Sequence, residues 1–387
     1  MRYTLSLFAV VCAVLPAGEF KAQQNIVDAP IVMAKKHAGG NAASLYRQAF
    51  AAMPSLNEAE RKLLDTTSAT PSEVGRVLVA KAEPALELAA AASRANYCDW
   101  NLDLDEGGML ALPHLGSLRD LAKFALLKAR MADARTAVEQ HEMVLRMARH
   151  AASTPLLMCR LMGISIEAKG MTSIAAMLPQ WDEGLCNRLR SMMTDGLDPA
   201  PSVSDCVVVE GKCMSAWYSK SLDAELKKSA ASFDVRAWLE KLASGSKLDE
   251  LLKQTGQPAG SLPKDAVGAR RSIEDFRVQM LELARIVALP RDAMNKEAAA
   301  FEQKLRAEAR PNVFIEAMRP IVMNARAAEL KLENMIGLLR AAFEVQANGE
   351  SALPAALATH RKTNGGFELT SKELFNGKPT VLTVGPR

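Results

Sequence analysis

Residues 154–179, TPLLMCRLMGISIEAKGMTSIAAMLP, decide the fold of this chain. Thr154 and Pro155 begin the segment and Pro179 ends it. Apolar residues recur between them at alternating spacings of four and three, which predicts a helix with one continuous helix–helix seam. The seam residues are Leu157, Leu161, Ile164, Ala168, Met171, Ala175 and Leu178. Ile166 and Ile174 lie off the seam, so we expect a central helix that is buried on more than one side.

The same four–three spacing returns elsewhere, most clearly over residues 321–342. Alanine, leucine and methionine carry much of the apolar content, and aromatic residues make up only 5% of the chain. This composition favours helix over strand. We therefore predict an all-α fold of antiparallel αα-hairpins, arranged as an irregular helical bundle or a short tetratricopeptide-like array. A β-branched run near the C-terminus predicts a small β-hairpin-like tail.

Several local signals refine this prediction. Pro84 and Pro320 should kink or split their helices, because proline removes one helical hydrogen bond. Ser117 and Asp120 form a capping box, which predicts a helix start at that point. Glu210 and Gly211 suggest a turn.

Composition shifts divide the chain into six segments. We expect a signal peptide at 1–22 and a linker at 23–40. An N-terminal helical domain at 41–195 and a connecting region of short helices at 196–265 follow. The last two are a C-terminal helical region at 266–348 and the β-hairpin-like tail at 349–387.

The N-terminus has the features of an export signal. Arg2 precedes the apolar run YTLSLFAVVCAVLPA, which has the length of a signal-peptide core. We therefore expect an exported protein of the periplasm or cell envelope, with membrane contact only through this segment. The net charge of +4 comes from 48 basic and 44 acidic residues that are well interspersed, which argues against nucleic acid as a partner.

Five cysteines follow the signal segment. This odd, sparse set is not a disulfide framework. Cys206 and Cys213 lie seven residues apart, and a turn at Glu210-Gly211 would bring them together. We therefore expect a disulfide between them in an oxidising compartment.

The segment NYCDWNLDLDEGG, 96–108, concentrates the polar chemistry of the chain. If it is extended, Trp100, Leu102 and Leu104 point to one side and the acidic residues to the other. A row formed by Asp99, Asp103 and Asp105 has the ligand type that calcium prefers. The alternative is a connector that the apolar row fastens to the helices, with the acids in water.

No motif for nucleotide binding, zinc hydrolysis or serine catalysis is complete in the sequence, so we expect no enzymatic activity and no cofactor except calcium. The alternative is a metal-dependent hydrolase that uses the 99–114 loop. Its ligands or acid–base groups would be Asp103, Asp105, Glu106 and His114.

Two passages carry a resemblance. Residues 98–130, CDWNLDLDEGGMLALPHLGSLRDLAKFALLKAR, and 146–168, RMARHAASTPLLMCRLMGISIEA, resemble a group of exported, alanine- and leucine-rich helical bacterial proteins without assigned activity. The likeness covers roughly residues 40–180. The tail FNGKPTVLTVGP, 375–386, is similar to endings found in some of these proteins and in pseudopilin-like secreted proteins. The resemblance implies an exported compartment and a helical fold, and it supplies no catalytic residues.

The sequence thus favours a non-catalytic scaffold or protein-binding module of the cell envelope. Two alternatives remain open. One is the metal-dependent hydrolase or calcium-binding protein that uses the 99–114 loop. The other is a component of a secretion system or pseudopilus, with the tail docked on another subunit.

Overall fold

The computed structural model describes residues 40–65, 72–229, 233–242, 248–255, 262–307, 312–375 and 377–386. It is mostly helical (74%), with thirteen α-helices and a three-stranded antiparallel sheet within these ranges. The predicted all-α class with a small β element at the C-terminus is confirmed. The predicted signal peptide and residues 23–39 of the linker lie outside the described residues.

Side-chain caps fix where several of the helices begin. Asn41, Asp133, Asp182 and Asp265 each accept a backbone N–H from the first turn of the helix that follows. The helices are α1 Ala42–Ala52, α2 Glu58–Asp65, α3 Glu73–Ser93, α4 Pro113–Ala129, α5 Ala134–Ala151, α6 Leu157–Met177, α7 Glu183–Asp195, α8 Val203–Ser229, α9 Val235–Leu242, α10 Leu248–Thr255, α11 Ala266–Val287, α12 Arg291–Ala307 and α13 Val313–Asn348. The strands are β1 Ala358–Thr363, β2 Gly366–Phe375 and β3 Lys378–Val384.

Helix α6 is the predicted central helix. It contacts α4, α5, α8, α13 and β3. Ile166 and Ile174 are buried together with most of the seam, which confirms burial on more than one side. The helix has no side-chain cap of its own. Glu210 of α8 takes that role, because its Oε2 accepts the backbone N–H of Leu157 at 2.9 Å, and a carboxylate there complements the positive helix end.

Leu157–Gln180 is long and apolar enough to cross a membrane, and it is the one such helical stretch in the described ranges. An 18-residue window within it has a mean hydropathy of 1.2, and 56% of that window is buried inside the fold. Arg160 and Glu167, both inside this stretch, form ion pairs with neighbouring helices. A core helix of a bundle has the same length and composition, so these properties alone add little weight to a membrane span.

The helices form an irregular bundle. Short connections join α4 to α5 and α5 to α6, and each pair packs side by side, as predicted for αα-hairpins. In a linear repeat array each unit contacts only its neighbours. Here α13 packs against α6, α7, α8 and α11, so the end of the helical chain returns to its middle.

Three local signals do not mark helix ends, and neither proline splits its helix. Pro84 lies inside α3 and Pro320 inside α13, and both helices continue through the proline. The next residues, Ala85 and Ile321, are buried, so tertiary packing outweighs the lost hydrogen bond. The capping box at Ser117 does not begin a helix either, because α4 already starts at Pro113.

The predicted turn at Glu210-Gly211 is also wrong, since α8 runs unbroken from Val203 to Ser229 within the supposed region of short helices. Seven residues of helix separate two Cα atoms by about 10 Å, which is more than a disulfide spans. Cys206 and Cys213 therefore do not form the expected disulfide in this fold, and both are free thiols.

A buried charge cluster, defined as Arg160, Arg326 and Glu329, joins α6, α8 and α13. Glu329 Oε1 accepts hydrogen bonds from Arg160 Nε at 3.0 Å and Nη2 at 2.9 Å. The same oxygen accepts the N–H of Val203 at 3.0 Å, at the start of α8. Glu329 Oε2 accepts from Arg326 Nη1 at 2.9 Å. The side chains of Arg326 and Glu329 are only 1% and 3% exposed, so neither charge has water in place of its partner.

The C-terminal strands form a sheet in the order β1-β2-β3. One of its faces is part of the helical core. Phe367, Leu369, Leu382 and Val384 pack in one cluster with Leu338 and Leu339 of α13 and Met171 of α6. The N–H of Gly385 donates to the carbonyl of Ala175 at 3.0 Å. The tail is therefore fastened to its own chain, and this face is not free to dock elsewhere.

Replacing Leu369 by alanine should lower the free energy of unfolding by about 2–5 kcal/mol, because it leaves a cavity in this shared core. Leu374→Ala on the same strand is the matched control, since that side chain is 52% exposed. Urea denaturation followed by circular dichroism measures both variants. Equal losses would contradict the assignment of the buried face.

Replacing Glu329 by glutamine should cost about 3–5 kcal/mol, because buried Arg160 loses its ion-pair partner and Arg326 loses its nearer carboxylate, keeping Glu333 at 3.2 Å. Glu274→Gln, which removes the exposed partner of Arg277, should cost less than about 1 kcal/mol. The same denaturation experiment compares the two variants. A small loss for Glu329→Gln would show that the buried charge cluster does not hold the three helices together.

Candidate functional site: an arginine-lined cleft beside the acidic segment

The acidic segment alternates as predicted. Trp100 is buried and Leu102 and Leu104 are half-buried, while Asn101, Asp103 and Asp105 are exposed. The Trp100 ring stacks on the His114 ring at a centroid distance of 4.3 Å and on Tyr46 at 5.8 Å. Its indole N–H donates to the carbonyl of His150 at 2.9 Å. The apolar row therefore fastens the segment to the N-terminal helices.

The carboxylates of the segment are engaged locally. Asp99 accepts from the N–H of Asn101 at 2.8 Å and from the hydroxyl of Tyr97 at 3.0 Å. Asp103 accepts the N–H of Asp105 at 3.0 Å. Within the described ranges no three His, Cys, Asp or Glu side chains come together in a way that could hold a metal ion. The structure thus does not bring the three candidate calcium ligands to one point, and calcium binding stays a prediction.

His114, which the hydrolase hypothesis includes among its ligands or acid–base groups, is buried and packed against the segment. It is 7% exposed and lies flat against Trp100. Burial lowers its pKa to about 4, so it is neutral at physiological pH. Nothing in this geometry directs it towards Asp103, Asp105 or Glu106, whose residues are exposed.

The glycine pair that ends the segment makes a close contact with α8. Gly107 has a positive φ of 49°, which favours glycine. A Cβ atom on Gly107 would also collide with the side chain of Trp217, and one on Gly108 would lie 3.1 Å from the same ring. These two glycines let the segment lie directly on Trp217, so it connects the N-terminal helices to α8.

A cleft of about 340 Å³ lies beside this segment, where three parts of the chain meet. The first wall is the end of α3 and the following loop, 93–98. The second is the last two turns of α5. The third is the loop 196–201, which contributes Pro199 and Pro201.

Helix α5 presents one polar face to the cleft. Arg146, Arg149, His150 and Ser153 are spaced i, i+3, i+4 and i+7, so they lie along one side of the helix and its end. Arg149 is held by Glu167 of α6 through two hydrogen bonds of 2.8 Å. No ion pair engages Arg146, or Arg94 on the facing wall, in the part of the chain that the structure describes. Asp198 is the single acidic residue that lines the cleft.

His150 and Cys98 also line the cleft, but they are not arranged as a nucleophile and base. His150 Nε2 donates to the carbonyl of Ala95 at 3.1 Å, which leaves Nδ1 to accept from the hydroxyl of Tyr46 at 2.9 Å. Burial lowers the pKa of His150 to about 4 and raises the pKa of the Cys98 thiol well above its ordinary value. A protonated thiol beside a fully bonded imidazole is a poor nucleophilic pair.

Sequence reasoning missed this cleft. It found the basic residues only to be well interspersed, which gives no sign that Arg146 and Arg149 share one face of α5 at the cleft. The spacing of residues 146, 149, 150 and 153 was the available signal. The opposing walls gave none, because they lie about fifty residues away in either direction.

No known protein family matches this chain, and neither a curated protein nor a solved structure is detectably similar to it. The chemistry of the cleft therefore rests on its own residues. The resemblance to exported helical bacterial proteins stays a prediction.

Replacing His150 by glutamine should flatten the pH dependence of stability. The pKa of His150 is lower in the folded protein than the usual 6.5, so the unfolded chain binds the extra proton. Stability from the neutral imidazole is complete above pH 6.5 and is lost as pH falls towards 4. Between pH 6.5 and 5 the wild type should lose roughly 2 kcal/mol more than His150→Gln.

Tyr46→Phe provides the control for this experiment. It removes the hydroxyl that donates to His150 but leaves the imidazole in place, so it should lower stability similarly at both pH values. Urea denaturation at pH 6.5 and 5 measures all three proteins. An unchanged pH dependence in His150→Gln would show that His150 is not kept neutral by the fold.

Proposed function

We propose that the protein is an exported, non-catalytic helical scaffold of the cell envelope that binds a protein partner in the arginine-lined cleft. The observation that carries this proposal is the cleft itself, whose Arg146 and Arg94 guanidinium groups have no ion pair among the described residues. Its buried histidine and thiol are engaged in structure. Such a site is suited to recognition more than to bond breaking.

The frame around the cleft is preorganised by hydrogen bonds between distant segments. The side chain of Asn41 donates to the carbonyl of Asp99 at 2.7 Å and accepts its N–H at 2.9 Å. Arg47 donates to the carbonyl of Trp100 at 2.8 Å. Trp100 is in turn bonded to His150 on α5. Walls that are already ordered lose little conformational entropy on binding, which favours a stable partner site.

Export is proposed from the N-terminal sequence. Arg2 followed by an apolar run is the pattern of a secretory signal, and the resemblance to exported helical proteins agrees with it. The five cysteines after that segment are free and mostly buried, so the fold requires no disulfide and is compatible with both an oxidising and a reducing compartment.

Site-specific photocrosslinking tests the proposed function. A photoreactive phenylalanine analogue replaces Asn96 on the cleft wall, and the full chain is expressed in the cells that produce it. We expect a discrete adduct in the envelope fraction, with the partner peptide identified by mass spectrometry. Asn96 is exposed in the isolated chain, so the analogue at this position is accessible to a bound partner.

The matched control carries the analogue at Val267, which is 68% exposed on α11 and does not line the cleft. It should give no adduct with the same partner. A third protein carries the analogue at Pro199, on another wall of the cleft. Identical adducts at Asn96 and Val267, or no adduct from Asn96 and none from Pro199, would contradict the proposal. Recovery of the chain in the cytoplasmic fraction would contradict export.

A further inference from the structure

We infer that the cleft recognises a carboxylate-bearing segment of the partner protein, held by the guanidinium groups of Arg146 and Arg94. This inference rests on the proposed function and names the chemistry of its ligand. It is carried by the placement of charge on the cleft walls and by the size of the cleft.

The cations of the cleft fall into two groups. Arg149 is paired with Glu167, whose side chain is 1% exposed, so this pair is part of the frame. Arg146 is half-buried and Arg94 exposed, and they come from opposite walls. With Asp198 as the single acid, the groups outside the Arg149–Glu167 pair carry a net positive charge. A guanidinium group matches a carboxylate through two parallel hydrogen bonds.

The remaining lining favours a peptide over a free ion. Leu197, Pro199 and Pro201 add apolar surface on the third wall, and Asn96 adds an amide on the first. A volume of about 340 Å³ is larger than a single anion requires and lies at the lower end of the range for ligand clefts, roughly 300–1,000 Å³. The cleft therefore fits an acidic side chain together with part of its backbone.

The charge is also too small for a polyanion. Nucleic acid binding depends on many phosphate contacts, and Arg146 and Arg94 supply only two cations. A single carboxylate next to neutral peptide backbone is the ligand that these walls complement. Asp198 then serves as an acceptor for a backbone or side-chain N–H of the same segment.

Fluorescence anisotropy with two synthetic probes tests the inference on the full chain. The probes are fluorescein-labelled Ala-Glu-Glu-Ala-amide and its neutral analogue Ala-Gln-Gln-Ala-amide. We expect the acidic probe to bind at least about tenfold more tightly than the neutral one, because a charge-assisted hydrogen bond is lost. In NMR spectra its addition should shift amides of 93–98 and 196–201.

Variants assign the effect to the cleft. Arg146→Gln and Arg94→Gln should each weaken binding of the acidic probe roughly tenfold, and Arg146→Lys should keep part of it. Arg271→Gln, which removes an exposed arginine of α11, should leave it unchanged. Thermal melts confirm that each variant is folded.

Three results with these probes would overturn the inference. The first is equal affinity for both probes, and the second is that Arg271→Gln weakens binding as much as Arg146→Gln does. The third is that inorganic phosphate or acetate displaces the acidic probe with an affinity equal to that of the probe, which would identify a free small anion as the ligand. If the crosslinked partner at Asn96 persists in Arg146→Gln, the ligand chemistry proposed here is wrong while the partner site stands. Loss of the crosslink in Arg146→Gln and Arg94→Gln, with its retention in Arg271→Gln, supports both the partner site and its carboxylate ligand.

Discussion

The fold depends on how one buried carboxylate is satisfied. Glu329 of α13 receives two arginines and the first amide of α8, and all of these donors lie away from water. A buried ion pair gains little over an apolar contact, but a broken one leaves an uncompensated charge. Three helices distant in sequence are therefore held in one relative position. Slippage of α6 would separate Arg160 from Glu329 in the interior of the bundle, where both side chains are nearly inaccessible to water.

The cleft inherits its geometry from this arrangement through α6. That helix contributes Arg160 to the buried charge cluster and Glu167 to the pair with Arg149. Glu210 of α8 lies against its N-terminus, and burial raises the pKa of that carboxyl to about 7. Arg160 and Glu167 of the central helix thus both place its neighbours. Arg146 of α5, which has no ion pair among the described residues, lines the cleft.

Local patterns predicted some of this and missed the rest for physical reasons. The seam of α6 and the alternation at residues 100–105 were predictable, because both follow from backbone periodicity. The helices through Pro84 and Pro320 were not, because burial of neighbouring residues decides them. The expected Cys206–Cys213 disulfide was wrong because residues 210 and 211 lie inside the continuous helix α8 and do not form a turn. The cleft had no local signature on two of its three walls, which only the tertiary fold brings together.

The C-terminal sheet has a consequence for the order in which the molecule can be completed. Strand β3 is synthesised after all the helices that the structure describes, yet Leu382 and Val384 cover apolar surface of α13 and α6. Until β3 emerges, the middle of the chain keeps that surface exposed and lacks the bond from Gly385 to Ala175. The part of the core that β3 covers can therefore close only once synthesis has passed β3. The last strand of the chain thus completes a core that its middle helices began, so this part of the fold cannot be finished before synthesis is nearly over.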